Sequence, residues 1–382
     1  MSRRIVTLAA AALALAALAA CSSTKKEDKP TELVKINARF YPKEVWSVGL
    51  GKGAPKLLLG LAPAIDGTRV YAANSAGDVV ALELANGHQA WRRHLKMTLS
   101  GGTGAGGGLV LACGTNGTLV ALSAQDGTDR WRTQLSSEVL AAPAVAGDLV
   151  VVRTVDGKLF GLNAADGKQR WVADQQVPRL TLRGTSKPVI AGELAISGFD
   201  NGRLLAVTLA TGNTAWDIAV GQPRGSSELQ RLIDIDSPPV IDADDVFAVA
   251  FQGRAVRLAH DTGLEIWSHE ISSYRGLAAD GLGAYVSTAS GEVIKLDRAS
   301  GAERWRQQAL LRRSLTGLAL QGDNLVVADF EGVIHWLDRE DGKFLARAKA
   351  GSGVSATPLV AGNLVLVLTD KGKLEAWRAQ AR

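Results

Sequence analysis

The chain has 382 residues, 46% of them apolar and 21% charged, with 42 Gly, 11 Pro and two Cys. That is enough chain to bury a large core and too apolar a chain to stay disordered, and two cysteines exclude a disulfide-knit scaffold. The net charge is +5; residues 1–20 carry Arg3, Arg4 and no acid, so their removal leaves +3, which lacks the basic excess that a nucleic-acid partner requires.

Arg3 and Arg4 precede an Ala-rich apolar run, Ile5 to Ala20, which reads as a secretory signal peptide over residues 1–20. Beyond it no apolar run reaches the roughly 18 residues of a membrane helix, so a multi-span protein is excluded. The run ends Leu18-Ala19-Ala20-Cys21, which resembles the bacterial lipobox. That resemblance implies acylation of Cys21, and Ser22 after it implies the outer rather than the inner membrane. One acyl chain anchors only marginally, at about 0.8 kcal/mol per buried CH₂, so several together are needed for a stable anchor. The polar segment that follows reads as a flexible tether, giving a lipidated Cys and tether over 21–38 and a folded domain over 39–382.

One pattern then recurs to the end of the chain. A Gly precedes an alternating apolar run at Gly77, Gly117, Gly157, Gly202, Gly253, Gly291, Gly332 and Gly372. A period of about 40 residues marks a repeat architecture. Within 141–174, the runs AAPAVA, LVVVRTV, KLFGLNA and KQRWVA are separated by Gly-Asp and Asp-Gly turns. Such turns between alternating apolar runs read as hairpins, and four antiparallel strands per repeat make a propeller blade. The eighth copy lacks a fourth strand, whereas Glu44-Val45-Trp46-Ser47-Val48 is a fourth strand without a blade. The sequence therefore predicts an all-β fold: an eight-bladed β-propeller of four-stranded antiparallel blades, closed by an N-terminal strand that completes the last blade.

Trp91, Trp131, Trp171, Trp216, Trp267 and Trp305 each follow a turn Gly by four residues, and Trp46 belongs to the orphan strand. Repetition at one place in successive blades points to packing between blades, with the indole N–H bonded to backbone. After Gly342 the same position holds Ala346. Trp336 and Trp377 lie within third strands and read as packing variants.

Few residues suggest chemistry. His88, His94, His260, His269 and His335 form no tight ligand pair. Gly102 to Gly107 satisfies G-x-G-x-x-G but leads into a strand rather than a helix, so it fails as a dinucleotide site. Asp242 to Asp245 reads as a turn rather than a calcium loop. Cys113 sits in an apolar run and reads as a small core residue. No catalytic residue, cofactor or metal ligand is assigned.

Two connections are longer than the rest, at about 174–187 and 219–238. They join successive blades and fall on one face of the ring, where a rigid scaffold carries binding loops. The first offers Leu180, Leu182 and Arg183; the second offers Asp234 and Asp236 near Arg231. An internal pairing of Arg183 with Asp234 or Asp236 is the alternative to a binding role.

Asn163-Ala164-Ala165-Asp166-Gly167-Lys168-Gln169-Arg170-Trp171 resembles the tryptophan-docking motif of quinoprotein propellers, without the Cys-Cys pair of that enzyme class. The lipobox, the tether, the eightfold repeat and the segments Leu180-Thr181-Leu182-Arg183-Gly184 and Arg231-Leu232-Ile233-Asp234-Ile235-Asp236 together resemble the BamB family of outer-membrane protein assembly factors. What the resemblance implies is a non-enzymatic scaffold at the periplasmic face of the outer membrane. Leu180, Leu182, Arg183, Asp234 and Asp236 would meet the POTRA domains of BamA within the BAM complex, and unfolded outer-membrane protein clients are further partners. A periplasmic quinoprotein-type dehydrogenase and a propeller binding envelope glycan or another envelope protein are the other classes.

Overall fold

Short apolar runs separated by Gly-containing turns fold back on their neighbours, and every fourth strand ends one sheet. The computed structural model describes residues 29–51, 53, 61–178 and 180–380; the signal segment and Cys21 lie outside them. Among these residues there are eight four-stranded sheets and no helix. Blades 1 to 7 span 64–94, 104–134, 144–174, 189–219, 240–270, 277–307 and 319–349, each in simple up-and-down order. Blade 8 takes three strands from 359–380 and its fourth from Tyr41–Gly49. That strand runs antiparallel to Lys373–Gln380, pairing Glu44 with Trp377 and Trp46 with Ala376. The chain ends therefore share one sheet, as the strand count predicted, and the ring has no open seam.

The core is distributed around the ring. Eight apolar clusters each join two neighbouring blades. In one of them, Tyr71, Val79 and Trp91 of blade 1 pack on Val110, Val120 and Leu122 of blade 2.

The repeated tryptophans hold these junctions. Each donates its Nε1–H to a carbonyl of the following blade: Trp46 to Leu84 (3.0 Å), Trp91 to Ala124 (3.0 Å), Trp131 to Ala164 (2.7 Å), Trp171 to Leu209 (2.8 Å), Trp216 to His260 (2.8 Å), Trp267 to Arg298 (2.8 Å) and Trp305 to Arg339 (3.2 Å). The ring lies on the turn glycine of that blade. A Cβ on Gly167 would come within 2.4 Å of Trp131 Cε3, and its φ is +70°, so no other residue fits the turn. A register shift beside each tryptophan bulges its strand, which re-aims the side chain toward the next blade. The opposite residue in the third strand is Ala81, Ala121, Gly161 or Ala206 in blades 1 to 4.

Blade 7 reverses that pair, with Trp336 on the third strand facing Ala346 on the fourth. Trp336 is fully buried and donates to Gln321 Oε1 (2.8 Å) within its own blade. Cys113 is fully buried, and burial pushes its thiol pKa up, so it is inert. Asp242 and Asp245 flank a turn and hold the Arg298 guanidinium, with Asp245 Oδ2 at 2.5 Å.

The segment expected to be a free tether lies outside the described residues up to 28. From Thr31 onward it is bonded to blade 7 and to the connection that leads into it: Thr31 N–H donates to Leu311 O (3.0 Å) in that connection and Arg39 N–H to Leu345 O (2.8 Å) in the blade. Few apolar residues signal this attachment: Leu33 and Phe40 are the anchors that pack onto blade 7 and its junctions.

Candidate functional site

The connection from blade 3 to blade 4 spans 175–188, and that from blade 4 to blade 5 spans 220–239. Their lengths leave backbone that the sheets cannot satisfy, and each loop completes the other. Ser186 Oγ donates to Ser237 O at 2.9 Å. A Cβ on Gly184 would lie 2.4 Å from Asp236 Oδ1, so the glycine of the L-x-L-R-G segment lets the first loop rest on the second. The second loop is fastened in turn to the blades: Phe251 N–H donates to Asp234 O at 2.7 Å, and Ile233 and Ile235 are buried. Ile235 lies against Gly198, where a Cβ would come within 2.3 Å of it.

The five residues singled out in sequence are brought together, but not with one role. Leu180 is 43% exposed, Arg183 is exposed and Leu182 is half-buried. Asp234 is fully buried, and Asp236 is covered by Gly184. In this structure the two acids lie under the first loop rather than facing outward. The cause is positional. Asp234 occupies the bridging place held by Leu99 and Val354 in other blades, both fully buried. Arg183 pairs with neither acid. Its Nη2 lies 3.1 Å from Glu138 Oε1, in the connection between blades 2 and 3.

Sequence reasoning missed the residues that hold these acids. Arg153 is fully buried, donates from Nη2 to Asp200 Oδ1 (3.1 Å) and lies 4.2 Å from the Phe199 ring centroid. It ends the second strand of its blade, where the other blades end in Ala73, Cys113, Gly198, Val249, Ser287, Ala328 and Leu368. An Arg in that series was the available signal. Burial pulls its pKa down, and the charges of Asp200 and Asp234 oppose that. Desolvation raises the pKa of Asp200, Asp234 and Asp236. Mutual repulsion adds to the rise at Asp234 and Asp236, the Leu182 amide and Arg153 offset part of it at Asp234, and Arg275 and Arg153 do so at Asp236. Neither oxygen of Asp234 has a hydrogen-bond partner of good geometry. Burial of this kind drives a carboxyl toward its protonated form, Asp234 the most strongly.

The face left to solvent carries apolar and charged side chains. Leu229 is 74% exposed, and Arg224 and Arg231 are exposed beside it in the second loop. Leu229 was also missed, because a Leu within a polar loop carries no periodic signal. A quinone cofactor with its metal ion does not fit this donor set. Asp200 is paired with Arg153, Asp234 and Asp236 are covered, and among the described residues no three His, Cys, Asp or Glu side chains are grouped to hold a metal.

Comparison with known proteins agrees on the family. The family described as outer membrane protein assembly factor BamB matches residues 42–98, 75–307 and 296–381. The chain is 46% identical over 367 residues to outer membrane protein assembly factor BamB of Pseudomonas aeruginosa, covering 96% of this chain and 97% of that one. Its structure is similar to the crystal structure of BamB from Moraxella catarrhalis, with a TM-score of 0.81, 28% identity and coverage of 88% and 99%. The quinohemoprotein alcohol dehydrogenase of Comamonas testosteroni gives a TM-score of 0.70 at 13% identity, over 88% of this chain and 76% of that one; that likeness is one of fold alone.

Proposed function

The chain belongs to the BamB family of outer-membrane protein assembly factors, and from that premise we propose that it is a non-catalytic scaffold that docks the POTRA domains of BamA through its two long loops. Acylated Cys21 holds it at the periplasmic face of the outer membrane. Leu180, Leu182 and Arg183 meet the partner. Asp234 and Asp236 act from beneath, seating the first loop at Gly184. The propeller supplies rigidity, so the docked arm is held in one orientation and little loop-ordering entropy is lost on binding.

The observation that carries this reading is the seating of one long loop on the other. Gly184 rests on Asp236 and Ser186 bonds to Ser237, while Leu180 and Arg183 stay exposed. Arg is a residue type enriched among the side chains that dominate protein interfaces, and the exposed Leu beside it adds apolar area for a partner to cover.

The test is co-purification of BamA with the variant Leu180→Ala/Arg183→Ala. Both side chains are exposed, so thermal unfolding is expected to stay cooperative and unshifted, while BamA recovery falls at least about tenfold. Unchanged recovery contradicts the assigned surface. The enzyme reading has its own check: addition of pyrroloquinoline quinone and calcium is expected to give no dye reduction, and turnover would overturn the scaffold reading.

A further inference from the structure

We infer that residues 31–40 form a clasp that closes the junction between blades 7 and 8, in place of a tryptophan tag, and that takes up any pull on the N-terminal segment before it reaches the closing strand.

That junction differs from the other seven. A tag needs an indole on one blade and a turn glycine between the third and fourth strands of the next. Blade 8 has no such turn, because its third strand, Lys373–Gln380, and its fourth, Tyr41–Gly49, are not consecutive in the chain. An indole at position 346 would have no carbonyl to meet, and Ala346 stands there instead.

Phe40 occupies the junction. Its ring meets Trp336 edge-on at 6.2 Å and 84°, in a cluster that contains Leu345 and Ala346 of blade 7 and Val365, Val367 and Trp377 of blade 8. The preceding residue adds two bonds, from Arg39 N–H to Leu345 O (2.8 Å) and from Arg39 Nη1 to Asp338 Oδ2 (3.3 Å).

Farther toward the N-terminus, blade 7 and the connection leading into it grip the backbone itself. Arg313 Nη1 donates to Thr31 O (3.0 Å) and Arg347 Nη1 to Val34 O (2.5 Å). Both guanidiniums are held from behind: Arg313 Nε by Asp329 Oδ2 (2.7 Å), Arg313 Nη2 by Glu331 Oε2 (2.5 Å) and Arg347 Nε by His335 Nδ1 (3.1 Å). Asp329 and His335 are fully buried and Arg313 nearly so. Leu33 packs on the cluster that contains Leu310, Leu315 and Leu318. The donors are pre-set, so removing the segment strands buried polar groups.

The order of attachment along the chain gives the clasp its mechanical sense. A pull from the N-terminal side meets Thr31, Val34, Arg39 and Phe40 in turn, held by blade 7, the connection before it or its junction with blade 8, before it loads the pairing of Tyr41–Gly49. An edge strand peels one bond at a time, whereas a clasp of side chains must yield as a unit.

The test is amide hydrogen exchange on the full mature chain carrying Phe40→Leu/Arg39→Ala, and separately Arg313→Met. The first variant is mild enough to fold. Exchange over 41–49 and 359–380 is expected to quicken at least tenfold, with blades 2 to 4 unchanged. Trp171→Phe is the reference and should quicken only around blades 3 and 4. Unchanged exchange at blade 8 in both clasp variants overturns the inference, as does an equal increase in all blades.

Discussion

Arg153 and Asp200 form an ion pair, Nη2 to Oδ1 at 3.1 Å, with side chains 0% and 4% exposed, in the cluster that also contains Asp234 and Asp236. One buried cation thus faces several carboxyls under the two long loops. Its removal leaves Asp200 buried without its partner. Arg153→Met is expected to lower stability by about 3–5 kcal/mol. Arg153→Met/Asp200→Leu should recover much of that loss, because a pair removed together strands no charge. Urea unfolding of the single and double variants checks both, and equal losses would contradict the pairing.

The raised carboxyls give a pH dependence with a definite sign. Asp234 and Asp236 hold their protons more tightly in the folded chain than in the unfolded one, where a carboxyl titrates near 3.8. The stability tied to those protons is complete below that value and is lost as pH rises through the folded-state pKa values. The urea midpoint is therefore expected to decline between about pH 4 and about pH 9. Asp234→Asn, which cannot ionise, should flatten that decline. Parallel curves for the two proteins would contradict a protonated Asp234.

Tryptophan docking predicts an ordered pair of effects at one junction. Trp171→Phe loses the bond to Leu209 O but keeps most of the ring, and should cost about 1 kcal/mol. Trp171→Ala should cost about 3–5 kcal/mol. Gly212→Ala should be severe without touching the tryptophan, because its Cβ would lie 2.7 Å from Trp171 ring carbons at a φ of +72°. Thermal unfolding ranks the three.

One turn is improvable. Ala243 has a φ of +53°, where the corresponding turns of blades 1 to 4 and of blades 7 and 8 hold Gly67, Gly107, Gly147, Gly192, Gly322 and Gly362 at +54° to +58°. Ala243→Gly is expected to stabilise by about 0.5–1 kcal/mol, since relief of left-handed strain outweighs the added freedom of the unfolded chain. A lowered melting temperature would show that the strain is absent.

The ring was legible in sequence because its signals are local and repeated. Asp-Gly turns, alternating apolar runs and a Trp four residues after a Gly recur at fixed spacing, and the orphan strand around Trp46 could be matched to the unfinished blade at Gly372 by counting. The loops were legible as departures from that spacing. What the sequence did not reveal depends on contacts between distant residues. Asp234 and Asp236 look exposed because acids usually are, yet backbone pairing with Phe251 and the overlying Gly184 bury them. Arg153 lay unnoticed in an apolar strand because its partner, Asp200, belongs to the next blade. Phe40 finds Trp336 nearly 300 residues away, a pairing no local pattern encodes.

The most direct test of the docking account is photo-crosslinking in cells. A photoreactive residue is placed in turn at Leu180 and Leu229 on the two loops, and at Leu264 and Phe330 on blades 5 and 7, all of them exposed. Crosslinks to BamA from positions 180 and 229, and none from 264 and 330, are the result this account predicts. Crosslinks to BamA from blades 5 or 7 with none from the two loops would contradict it.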